Sequence, residues 1–137
     1  MVRVIMGVKG TGKTKQMIDL IHAAVKNESG SVVCIERSNS LTYDIPHAVR
    51  LVESKDYGID NFDTMRGFIS GLHAGNYDIT HVFIESLIKI VGVDPENPTV
   101  EQFLDWLNTF GERNGIKFTV TISADASLAS DGVKKYF

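Results

Sequence analysis

The sequence predicts an α/β protein, a three-layer α/β/α sandwich around a mainly parallel five-stranded sheet. Three observations predict it. Apolar, β-branched runs such as "SVVCIE" (31–36) and "THVFIE" (80–85) read as strands covered on both faces. Segments with apolar residues at helical spacing alternate with these runs, which implies βαβ units. The length, 137 residues with 43% hydrophobic and 23% charged, suits one domain over 1–137 built on a single core.

Taken in order, "VRVIM" (2–6) is the first strand. A helix from about Lys13 to Lys26 follows, with Met17, Ile21, Ala24 and Val25 on one face, and Gly30 falls where its C-cap belongs. Residues 31–36 form the second strand, and "AVRLVE" (48–53) a weaker third. Asp60 or Asn61 caps a helix carrying Phe62, Met65, Ile69 and Leu72 and ending near Gly75. The strand at 80–85 leads through a short apolar piece, "SLIKIVG", to the loop "VDPENP". Thr99 and Gln102 read as a capping box for a helix whose Val100, Phe103, Leu104 and Leu107 make one stripe. "KFTVTISA" (117–124) is the last strand, and a polar tail supplies a closing helix.

Charge and composition exclude several functions. Net charge is −3, and residues 60–112 hold nine acidic side chains against Arg66 and Lys89, a poor surface for nucleic acid or anionic lipid. No apolar run approaches the roughly 20 residues that span a bilayer, and the strand-like amino terminus shows no signal peptide, so a cytoplasmic protein is expected. The single cysteine, Cys34, excludes an intrachain disulfide and reads as a small buried hydrophobe. His22, His47, His73 and His81 show no metal-ligand spacing.

In open parallel sheets, ligands bind beyond the carboxyl ends of the strands. Polar residues gather after Met6, Glu36, Glu85 and Ser123, the four ends where a site belongs. The strongest of these is Gly7-Val8-Lys9-Gly10-Thr11-Gly12-Lys13-Thr14, followed by Lys15, which matches G-x-x-x-x-G-K-[ST] at every fixed position. Glycines let backbone N–H groups turn toward a polyphosphate without a Cβ in the way, and the helix opening at Lys13 adds its positive end. Lys13 would reach the β- and γ-phosphates and act catalytically, and the Thr14 hydroxyl would ligate Mg²⁺. The motif follows a strand and opens an amphipathic helix, the context that supports it.

On these residues the whole chain resembles the P-loop NTPase superfamily. The resemblance implies ATP or ADP with Mg²⁺ as cofactors, and a second acidic motif at a strand tip. "His81-Val82-Phe83-Ile84-Glu85-Ser86" occupies that place, with Glu85 where the family has aspartate. Glu85 would hold Mg²⁺ through a water, and its longer arm implies inefficient hydrolysis. The RecA-like branch adds a strand between the loop strand and the acidic strand, giving the order 2–6, 117–123, 81–85, 31–36, 49–53. It also implies a γ-phosphate sensor at Thr121 or Ser123 and a water-polarising glutamate at Glu36, for which a surface ion pair with Arg37 is the plain alternative. Many RecA-like ATPases complete the site with a neighbouring subunit, so a homo-oligomer or a protein partner is implied. The chain also looks like small bacterial P-loop proteins named after the twitching-motility (pilus retraction) ATPases. Those motors carry a further amino-terminal domain and acidic and histidine-rich boxes, so this likeness implies an ATP-binding core and not a motor.

The expected function is therefore ATP binding with weak or partner-dependent ATPase activity, in a regulatory role or within an assembly. A small-molecule kinase and a catalytically inactive interaction module are the alternatives. The kinase reading lacks an arginine-rich lid; the module reading would use the acidic stretch 94–112 with Trp106. Arg37, Arg50, Arg66 and Arg113 are available as a finger, Tyr43 and Tyr57 as adenine stackers, and no guanine-reading N/T-K-x-D motif is present.

Overall fold

Five strands pair in parallel in the order β1-β5-β4-β2-β3 in a computed structural model that describes residues 1–38, 41 and 44–137. They are β1 (Val2–Gly7), β2 (Ser31–Glu36), β3 (Arg50–Glu53), β4 (Ile79–Ile84) and β5 (Lys117–Ser123). Around them lie α1 (Lys13–Asn27), α2 (Phe62–Gly75), α3 (Leu87–Val91), α4 (Pro98–Asn114) and α5 (Asp131–Lys134). The strand order is the one that the RecA-like resemblance implies, with β5 inserted between the loop strand and the acidic strand.

The alternation of side chains along each strand divides the core into two layers. Val4, Val33, Ile35, Val82, Ile84, Phe118 and Val120 face α2, α3, α4 and α5, where Met65, Ile69, Phe103, Leu104 and Leu107 are buried. Cys34 and Phe83 face α1, against Met17, Ile21 and Ala24. The helical stripes read from the sequence are buried except at Val25 and Leu72, which are partly buried at the margins of the two layers. Full burial of such side chains stabilises by about 1.5–3 kcal/mol each.

Of the two residues expected to cap α2, Asn61 does so: its side chain accepts from Thr64 N, and Thr64 Oγ1 accepts from Asn61 N. Helix ends depart from expectation in two other places. The cap of α4 is Asn97, whose Oδ1 accepts from Thr99 N at 2.9 Å, so the expected Thr99–Gln102 capping box is not the device used. Pro98 explains the shift, because its fixed φ and missing N–H suit the first helical position. Gly30 is not the C-cap of α1, which is Glu28. A Cβ on Gly30 would lie 2.1 Å from Thr80 Cγ2 and 2.3 Å from the Asp78 carbonyl, so close approach to β4 is what requires glycine there. The polar tail forms α5 with Ser130 as cap, and Val4 N donates to the Tyr136 carbonyl at 2.7 Å, occupying part of the open edge of β1.

His81, an apolar position in the acidic motif, sits toward the amino end of β4. Its Nδ1 lies 2.7 Å from Glu28 Oε2, its Nε2 lies 2.8 Å from Thr119 Oγ1, and its ring stacks on Phe83. Burial lowers its pKa, and the hydrogen bond and charge of Glu28 only partly offset this. The folded protein therefore takes up the His81 proton less readily than the unfolded chain does. Stability is expected to fall as pH drops through the ordinary histidine range near 6.5, and to stop falling below the depressed folded value. Urea unfolding between pH 5 and 7.5 checks this: His81→Gln should flatten the dependence, and an unchanged slope would exclude His81 as its source.

Candidate nucleotide-phosphate site

The segment between β1 and α1 is built to present backbone N–H groups. Gly10 and Gly12 have φ of 89° and 83°, a region closed to most L-residues, and Gly12 is the N-cap of α1 without a side-chain cap. No acidic residue lies in the first turn of α1, so its positive end is uncompensated within the helix. At Gly7 a Cβ would stand 2.7 Å from Thr11 Oγ1, which instead donates to the Val8 carbonyl at 2.8 Å. Lys13 Nζ donates to the same carbonyl at 2.9 Å, folding the ammonium across the loop. Desolvation lowers the Lys13 pKa; Glu85 opposes the shift and Lys89 adds to it.

A pocket of about 420 Å³ opens beside the loop. Of the residues expected at the site, Lys9, Gly10, Gly12, Lys13, Thr14, Glu85 and Ser123 line it. Gly7 lies at the end of β1 behind them, and Val8, Thr11 and Lys15 are exposed outside the lining. Ser86 and Lys89 also line it and were not anticipated. The one available signal for Lys89 was its being the single cation of "SLIKIVG".

Thr121 and Ser123, both sensor candidates, are placed differently. Ser123 reaches the pocket, whereas Thr121 is 1% exposed and its Oγ1 accepts from Ser86 N at 2.7 Å. Ser86 has φ 55°, the one positive value on a non-glycine residue among those described, and its Oγ donates to Glu85 Oε1 at 2.6 Å. Thr121 thus anchors a left-handed residue that in turn holds Glu85. Thr121→Val should leave Ser86 N buried without an acceptor and cost about 1–3 kcal/mol. Chemical denaturation measures this; a loss below about 0.5 kcal/mol would mean that the turn is held by other contacts.

Glu36 stands next to Glu85. Ile35 pairs with Ile84, Glu85 N donates to the Ile35 carbonyl at 2.9 Å, and the two glutamates leave adjacent strand tips together. Burial and then the charges of Glu36 and Glu85 push the Cys34 thiol well above its usual range. Glu36 is fully buried, so the surface ion pair with Arg37 is not the arrangement found; its carboxylate accepts from Leu41 N, with Oε2 at 3.2 Å. Arg37 makes no ion pair among the described residues. Arg50 donates to the Tyr57 hydroxyl, and Arg66 pairs with Asp63 and lies over the Phe103 ring. No arginine lines the loop pocket among the described residues. Tyr57 packs near Phe68 away from the loop, and Tyr43 lies outside the described residues. Trp106 is partly buried, stacked between Phe103 and Phe110. No His, Cys, Asp or Glu cluster suited to a metal occurs among the described residues.

Strand order, loop and acidic tip together define the class of fold: a parallel α/β P-loop fold of RecA-like arrangement. Two of the solved structures that match it illustrate the likeness. One is a KaiC-like protein from the hyperthermophilic archaeon Pyrococcus horikoshii OT3, with TM-score 0.67 and 19% identity over 98% of this chain and 66% of that one. The other is the flagellar accessory protein FlaH from Methanocaldococcus jannaschii, with TM-score 0.60 and 11% identity over 98% of this chain and 65% of that one. At such identity the likeness is one of fold, and this chain spans about 65% of the length of each. No protein-family model and no curated protein sequence matches the chain. No helix among the described residues is long and apolar enough to cross a membrane.

Proposed function

We propose that residues 1–137 act as one nucleotide-binding unit that takes ATP or ADP with Mg²⁺ at the loop pocket. Hydrolysis is weak or depends on a second copy or a partner protein, and the role is regulatory or within an assembly. The carrying observation is the convergence of Lys9, Lys13, Lys89 and the open amino end of α1 on one pocket whose only carboxylate among the lining residues is Glu85. That charge balance favours a polyphosphate, and Thr14 with Glu85 supplies oxygens suited to Mg²⁺ directly or through water. Mg²⁺ would neutralise the phosphates and Lys13 would follow charge on the γ-phosphate. Glu36 beside Glu85 is the candidate for orienting water, and Ser123 the candidate sensor. The P-loop resemblance, the twitching-motility likeness included, supports an ATP-binding core.

A second reading, an inactive P-loop module, is supported by glutamate in place of aspartate and by the absence of a pocket arginine among the described residues. Thermal unfolding with ATP, ADP, GTP and AMP, with and without Mg²⁺, tests the binding both readings bear on. ATP and ADP should raise Tm, ATP more so with Mg²⁺. No shift with any nucleotide would overturn the proposal and leave the module reading.

A further inference from the structure

A second pocket of about 300 Å³ lies at the carboxyl ends of β2 and β3, beside α3. Arg37 enters it directly after β2, Lys55 from the 3₁₀ turn after β3, and Lys89 from α3. Lys89 lines both pockets, so the two are neighbours. None of these three cations makes a side-chain hydrogen bond or ion pair with the described residues. Asp60 is the one carboxylate of the lining, and its Oδ1 already accepts from Asn61 Nδ2 at 3.1 Å. Ser54, 1% exposed, lines the same pocket.

Three cations facing one carboxylate repel one another, and in a chain of net charge −3 this concentration is not a by-product of composition. A compact dianion relieves the repulsion. A phosphate group matches the donors better than a carboxylate does, since its three terminal oxygens can serve a guanidinium, two ammonium groups and a hydroxyl together. The small, concave shape suits a small molecule rather than a nucleic-acid backbone.

We propose that Arg37, Lys55 and Lys89 form a second anion site, which takes a small phosphate-bearing molecule beside the nucleotide-phosphate pocket. The site is distinct from the loop and stands whether or not the loop binds nucleotide.

The test uses the full chain carrying Lys13→Ala, which disables the loop, and pyrophosphate as probe. Titration followed by backbone amide NMR should perturb Gly58, Ile59 and Ile90, which line this pocket and not the loop pocket. Adding Arg37→Gln and Lys55→Gln, both exposed and outside the loop pocket, should weaken pyrophosphate binding by about tenfold or more, as expected for lost charge-assisted contacts. Perturbations confined to residues 7–15, no binding in the Lys13→Ala protein, or affinity unmoved by the double substitution would each overturn the site. Malonate binding as tightly as pyrophosphate would overturn the phosphate assignment.

Discussion

Lys13→Ala is expected to abolish the stabilisation that MgATP confers while leaving the unliganded protein nearly as stable. At ligand one hundred times its dissociation constant, binding stabilises by about 2.7 kcal/mol, roughly 10 °C in Tm for a chain of this size. The ammonium is the loop's most buried cation, 9% exposed, and among the described residues only the Val8 carbonyl accepts from it, at 2.9 Å. Losing that hydrogen bond costs about 1 kcal/mol at most, because the carbonyl also accepts from Thr11 Oγ1 and lies in an exposed loop. The basal and ligand-dependent effects are therefore separable in one set of melts. A Lys13→Ala protein that kept its full MgATP shift would show that nucleotide binds somewhere other than this loop.

The second large effect concerns turnover. Glu36→Gln should lower ATP hydrolysis by about 10²–10⁴-fold, the contribution of a positioned general base, with the nucleotide-induced shift preserved. Glutamine keeps an oxygen for Leu41 N, so folding is little affected, whereas Glu36→Ala leaves that buried donor without its acceptor. Binding intact with hydrolysis reduced would place Glu36 in the mechanism. Equal rates in the parent and Glu36→Gln proteins would remove it, and a parent protein that binds but never turns over would favour the inactive module.

Much of the fold was legible in the sequence because its signals are local. Runs such as 31–36 and the stripe Val100, Phe103, Leu104, Leu107 carry their burial in their own periodicity. The loop was legible for a related reason: consecutive residues build it, and the left-handed turns at Gly10 and Gly12 need glycine whatever surrounds them. Helix ends were less so. Asn97 takes the cap from Thr99 because Pro98 is suited to the first helical position. Gly30 answers to Thr80 and Asp78, fifty residues away in the chain, and periodicity carries no trace of that contact.

By itself, the sequence determined the strand–helix alternation, the glycine-rich loop between β1 and α1 and the acidic strand tip, since each is written in neighbouring residues. Tertiary structure alone decided which side chains share a site. It buried Thr121 under Ser86 and brought Ser123 to the pocket, although both lie on the same face of β5. It put Lys89 between two pockets and set Arg37 and Lys55 beside it. Convergence of this kind depends on the order and register in which strands far apart in the chain pair, and no stretch of sequence contains it.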